Sequence, residues 1–207
     1  LWVTGVQTCA PDLLESVSVD NMGAFERFYN LYYDQVFRFA YYCLGEKEAC
    51  REVVTDVFFS VWQSRKRLKD IDNIDTYLYI SVRNESFRFQ ARNKDLNRVS
   101  LNELLPLMEE EDEGSPEEHL ELKEMREMLD KAIDELPEKC RLVFLMSREE
   151  GLKTKEIAEI LSVQESTVRV QMKIAIEKLV ARLKPSFPNI SFSLLLMFIF
   201  NVIYRSA

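Results

Sequence analysis

Apolar residues recur at helical spacing along most of the chain, and they predict long helices separated by short turns. Phe25, Phe28, Tyr29, Tyr32, Val36, Phe39, Ala40 and Cys43 fall within one arc of a helix, which makes this a core-facing element ended by Gly45. A second pattern, from about Lys47 to Lys66, puts Cys50, Val53, Val54, Val57, Phe58 and Val61 on one side. A third helix is expected to start near Asp75 as its cap. Over Thr76 to Lys94 it projects two apolar arcs, Leu78, Val82 and Phe89 on one and Tyr77, Ile80, Phe87 and Ala91 on the other.

The second half repeats the pattern in shorter units. Pro137 to Lys184 reads as three helices with a sharp turn before the last. Thr154 is the expected cap of a helix carrying Ile157, Ala158, Ile160 and Leu161, and Ser162-Val163-Gln164 is a three-residue turn. The last helix, from near Glu165, has Val168, Met172, Ala175, Leu179 and Leu183 on its inward stripe. Two helices joined this tightly make a helix-turn-helix.

Between the halves, Glu109 to Glu113 is an unbroken acidic run followed by Gly114, Ser115 and Pro116. No apolar period runs through it, so it reads as a mobile linker, with Ser115, Pro116 and Glu118 starting the next helix. The expected fold is all-α, with two small helical domains over 20–96 and 119–184 joined by an acidic linker over 97–118. A tail over 185–207 follows. Its segment Ile190 to Tyr204 is almost wholly apolar, yet shorter than the roughly 20 residues of a membrane-spanning helix, so it is expected to pack on a domain or a partner. Residues 1–13 are set aside: Val3 to Ala10 resembles the conceptual translation of a sequencing-library adapter, which would put the natural start elsewhere. This end has no basic region before an apolar run and so no secretory signal pattern.

Composition narrows the chemistry. With 47% apolar residues the chain can build real cores. A formal net charge of −8 argues against indiscriminate coating of nucleic acid, so any such binding must come from local charge segregation. Cys9, Cys43, Cys50 and Cys140 have no CxxC or His-paired spacing, and His119 is the only histidine. No metal site is expected, and Cys43 suits a reduced, buried thiol in a cytoplasmic protein. There is no glycine-rich phosphate loop and no plausible Ser/His/Asp set, so no catalytic residues, no cofactor and no small-molecule substrate are expected.

Three surfaces stand out instead. The outer side of the second helix carries Glu52, Thr55, Asp56, Phe59, Trp62 and Gln63. Aromatics among carboxylates suit a protein-binding patch, although Phe59 and Trp62 would also suit packing under a neighbouring helix. Along the third helix runs a polar strip of Ser81, Asn84, Arg88 and Arg92 with Glu85 at its edge. Guanidinium groups beside aromatics suit a phosphate backbone with unstacked bases, and a solvated bundle face would look the same. On the last helix, Ser166, Arg169, Val170 and Lys173 face away from the apolar stripe, a set suited to base edges and phosphates in a major groove.

The run Glu156-Ile157-Ala158-Glu159-Ile160-Leu161, then Val163, then Glu165-Ser166-Thr167-Val168-Arg169, resembles region 4 of sigma-70-type factors, a pattern also found in LuxR-type response regulators. Asp56 to Trp62, followed by Thr76 to Arg88, resembles region 2 of the extracytoplasmic-function (ECF) sigma factors, which LuxR-type regulators lack. Together, in this order, the regions so resembled cover most of the chain. The resemblance implies an alternative sigma factor that binds core RNA polymerase and directs it to promoters. It implies that Glu52, Thr55, Asp56 and Phe59 meet the polymerase, and that Ser81, Asn84, Arg88 and Arg92 meet the −10 element. Ser166, Arg169, Val170 and Lys173 would face the −35 element. By the same resemblance the linker threads the polymerase toward the RNA path, and an anti-sigma factor covers the Glu52/Asp56/Phe59 face, at the membrane in some relatives. Thr55 replaces a usual glutamine, and Gln171, Ile174 and Ile176 stand where many relatives have arginines. That shifts weight from phosphate attraction to apolar contact and implies a weak, salt-sensitive −35 interaction. The competing expectations are an autonomous helix-turn-helix regulator and a membrane-tethered interaction protein using the tail.

Overall fold

The computed structural model describes residues 11–93 and 127–186. The acidic linker, the helix start at Ser115 and the apolar segment Ile190 to Tyr204 lie outside the described residues. The chain divides into two units between Arg98 and Val99. Every described element is helical.

The first unit begins with a helix that the apolar pattern did not reveal. Helix α1 (Pro11–Ser18) takes in the end of the segment set aside as adapter-like, and it buries Leu14 and Val17, one helical turn apart. Helix α2 (Met22–Leu44) starts at Asn21, whose Oδ1 accepts from the Ala24 N–H at 3.0 Å. It ends as expected at Gly45, where φ is 74° and the N–H bonds to the Tyr41 carbonyl. A residue with a Cβ pays steric strain in that left-handed conformation.

Helix α3 (Lys47–Gln63) stops earlier than the pattern predicts. Ser64 closes it, and the chain tightens into a 3-10 turn over Arg65–Asp70 that buries Leu68 and leaves Lys66, Arg67 and Lys69 outside. Against this turn α1 packs, and Arg65 pairs with Asp20. Helix α4 (Ile74–Arg92) is capped by Asn73 rather than by Asp75, because the Asn73 Oδ1 is the oxygen that reaches the Thr76 N–H, at 2.9 Å. Asp75 is instead buried and accepts from Gln35 on α2. The core among α2, α3 and α4 is aromatic: Phe28 lies 4.9 Å from Tyr32 and 6.2 Å from Phe58, and Phe39 meets Tyr79 edge-on at 4.7 Å between centroids.

In the second unit, α5 is helical over 127–134 and is followed by α6 (Glu138–Arg148), α7 (Thr154–Leu161) and α8 (Glu165–Leu183). Val168, Ala175, Leu179 and Leu183 are buried as the stripe predicts, whereas Met172 of the same stripe is only half-buried, and α8 packs on both α6 and α7. Thr154 is the first residue of α7 and not its cap. Lys153 holds the cap position, and the Glu156 carboxylate accepts its backbone N–H at 2.7 Å. The Ser162-Val163-Gln164 turn is present. Ser162 has φ 54°, and the Val163 N–H closes back on the Ala158 carbonyl at 2.9 Å.

Charged side chains are buried here, Asp130 and Arg148 among them. The Arg148 side chain is 2% exposed, lies 5.4 Å from the Phe144 ring and is 3.8 Å from Glu149. Burial lowers its pKa to about 10, against the opposing pull of Glu149 and Asp130.

Candidate nucleic-acid interface

Three faces carry the chemistry named from the sequence, two on the first unit and one on the second. On α3, Glu52 and Thr55 are exposed, Asp56 is half-buried and Phe59 is 59% exposed. Thr55 spends its hydroxyl on the Arg51 carbonyl at 2.7 Å, so it presents its methyl group and an already bonded oxygen. The two aromatics part company. Trp62 is half-buried, 4.9 Å from Phe25, with the Arg65 guanidinium 4.4 Å from its ring centroid, whereas Phe59 has no such cover. An exposed phenylalanine one turn from a carboxylate is a compact anchor for another protein.

On α4, Asn84, Arg88 and Arg92 are exposed on one face, and Ser81 is half-buried with its hydroxyl donated to the Tyr77 carbonyl at 2.8 Å. Asn84 is oriented by a residue that the sequence reading passed over: Arg83 donates to its Oδ1 through Nε at 3.2 Å and Nη2 at 2.7 Å. That leaves the Asn84 amide N–H groups as the outward donors. Arg88 Nη1 is 3.0 Å from Glu85 Oε2, and Arg92 Nη2 is 3.3 Å from Glu85 Oε1 and 3.9 Å from Asp56 Oδ2. The middle of α3 and the last turn of α4 are therefore in electrostatic contact.

The expected second apolar arc of α4 is not a buried arc. Tyr77 and Ile80 are half-buried, Ala91 is exposed and Phe87 is 55% exposed, which puts an aromatic face beside Arg83 and Arg88 on the strip. Its apolar character hid it in a pattern that counts every phenylalanine as core.

On α8, Ser166, Arg169, Val170 and Lys173 are all exposed, with Val170 at 56%. Arg169 is held by Glu165 at 2.7 Å, Lys173 lies 3.8 Å from Glu177, and Ser166 Oγ is 3.4 Å from Gln164 Oε1. Beside them opens a groove of about 450 Å³ whose lining includes Ile157, Val168, Met172 and Ile176 together with Arg169, Lys173 and Glu177. A helix presented this way, by a turn at its N-terminal end and with cations on its outer face, fits a major groove. Among the described residues no group of three or more His, Cys, Asp or Glu side chains is placed to hold a metal ion, and no helix is long and apolar enough to cross a membrane.

Comparison with known proteins agrees with this geometry. Residues 28–95 match Sigma-70 region 2, and residues 126–179 match Sigma-70, region 4. The chain belongs to the sigma-70 family, with region 2 ahead of region 4 as in its ECF members. It is 28% identical over 140 residues to RNA polymerase sigma factor FliA of Yersinia enterocolitica. That stretch is 68% of this chain and 55% of the relative, so the chain spans about half the length of the curated relative it matches. Two solved structures share the fold at 18% identity. CnrH in complex with the cytosolic domain of CnrY has a TM-score of 0.56, covering 84% of this chain and 97% of that one. The sigma factor RpoE with the anti-sigma factor NepR, from Bartonella quintana, has a TM-score of 0.55, covering 77% and 96%.

Proposed function

We infer that this chain is an alternative sigma factor of the ECF type, which binds core RNA polymerase and directs it to promoters in the cytoplasm. The observation that carries the reading is the pairing, in one chain and in this order, of a region 2 unit with an exposed Phe59 and arginine strip and a region 4 helix-turn-helix. The α3 face with Glu52, Thr55, Asp56 and Phe59 meets the polymerase. The α4 strip with Ser81, Asn84, Arg88 and Arg92 takes the −10 element, and Ser166, Arg169, Val170 and Lys173 take the −35 element. The protein is a binding factor, with the polymerase supplying the chemistry. An anti-sigma partner is supported by the RpoE–NepR complex, and its docking place in this reading is the face around Phe59.

Run-off transcription with core polymerase and a genomic promoter library tests it. The informative variant is Glu52→Lys with Phe59→Ala, because Asp56 lies beside Arg92 and its substitution would disturb both faces at once. New start sites that disappear in this variant are expected. If the intact chain gives no start sites yet shifts duplex DNA unaided, it is an autonomous helix-turn-helix regulator and the reading is wrong.

A further inference from the structure

Glu85 lies on the edge of the α4 strip and has no role in the reading above. Its side chain is 15% exposed, whereas those of Arg88 and Arg92 are 73% and 55% exposed. Both of its oxygens are engaged, Oε2 by Arg88 and Oε1 by Arg92, and Asp56 adds a second carboxylate 3.9 Å from Arg92. Two guanidinium charges thus face two carboxylate charges, and the last two turns of α4 present little net positive charge to an approaching strand. Exposed ion pairs of this kind contribute only about 0–1 kcal/mol each, so they can be exchanged. The arginines are the partners that move, since they are solvated and flexible, while Glu85 is held by the burial of its side chain.

We propose that Glu85 masks Arg88 and Arg92, so that a melted promoter strand binds by exchanging this carboxylate for its phosphates. The proposal rests on reading the α4 strip as the surface for that strand. Glu85 acts through the two arginines and touches no base. Its effect is discrimination: an isolated phosphate gains little by displacing a carboxylate, whereas a strand that also uses the Asn84 amide and the Phe87 ring completes the exchange. A bare arginine pair would hold any polyanion.

The test uses the full chain assembled with core RNA polymerase and a fluorescein-labelled single-stranded oligo(dT), followed by anisotropy across a KCl series. Glu85→Gln and Glu85→Ala are measured together, with circular dichroism to establish that each is folded. Both are expected to bind roughly five- to tenfold more tightly than the parent at low salt and to lose affinity more steeply as salt rises, because uncovered cations release more counterions on binding. In a background of Arg88→Ala with Arg92→Ala the gain should vanish, which a merely structural role for Glu85 would not produce. A folded Glu85 variant that binds no more tightly, or more weakly, overturns the masking role and leaves the strip intact. If the assembled parent binds the oligonucleotide no better than core polymerase alone, the strip reading itself fails, and the masking role with it.

Discussion

Gln35 on α2 donates its side-chain amide to Asp75 Oδ1 at 3.2 Å and also to the Tyr79 hydroxyl at 2.7 Å, tying the middle of α2 to the first turns of α4. Asp75 and Tyr79 are buried, so this link works in a poorly hydrated setting where an unmatched polar group is costly. Asp75→Ala removes one of the two acceptors of the half-buried Gln35 amide and should destabilise the first unit by about 0.5–1.5 kcal/mol. Urea unfolding followed by the helical signal measures it. A midpoint equal to the parent's would mean that the link is not needed to seat α4.

Gly45 closes α2 in the left-handed region and lets α3 turn back against it. Gly45→Ala places a Cβ where φ is 74° and should cost on the order of 1 kcal/mol, seen as a lowered melting temperature. Gly45→Asn, which tolerates this conformation better, should recover part of the loss.

Burial, with Cys43 nearby, pushes the Cys50 thiol up to about 12 from an ordinary value of 9.0. The folded state therefore keeps the proton after the unfolded chain has lost it. This contribution is complete below pH 9 and is lost as pH climbs from 9 toward 12, at up to about 1.4 kcal/mol per pH unit. The stability of Cys50→Ala should fall less steeply than the parent's over that window. At pH 8.5 the native chain should resist iodoacetamide at Cys50 and react once unfolded, as peptide mass mapping would report; equal labelling in both states would contradict the burial.

Arg169 is held in the free chain by Glu165, with Val170 beside it. If this face reads the −35 element, Arg169→Ala should weaken promoter binding by the polymerase-bound chain by about 1–3 kcal/mol, and Val170→Ala by less. The chain without polymerase should bind duplex DNA only weakly and lose that binding with salt. Nanomolar binding of the free chain at physiological salt would show that the Gln171, Ile174 and Ile176 positions do not weaken the contact as expected.

What the sequence by itself determined is what depends on helical phase. The stripes of α2, α3 and α8, the stop at Gly45 and the turn at Ser162 follow from which residues recur on one side of a helix and which backbone conformations a residue tolerates. The exposure of Arg169, Val170 and Lys173 follows from the same phase. Helix α1 escaped because eight residues with two buried positions carry too little period. Tertiary structure alone decided which oxygen caps α4, since Asn73 and Asp75 are both capable and only the burial of Asp75 against Gln35 separates them. It also decided that Trp62 lies against Phe25 while Phe59 does not, and that Phe87 faces solvent. The pairing of Glu85 and Asp56 with the α4 arginines is of the same kind. Phase states which direction a side chain leaves its helix; only the neighbouring helix determines whether that direction meets water, an aromatic ring or an opposite charge.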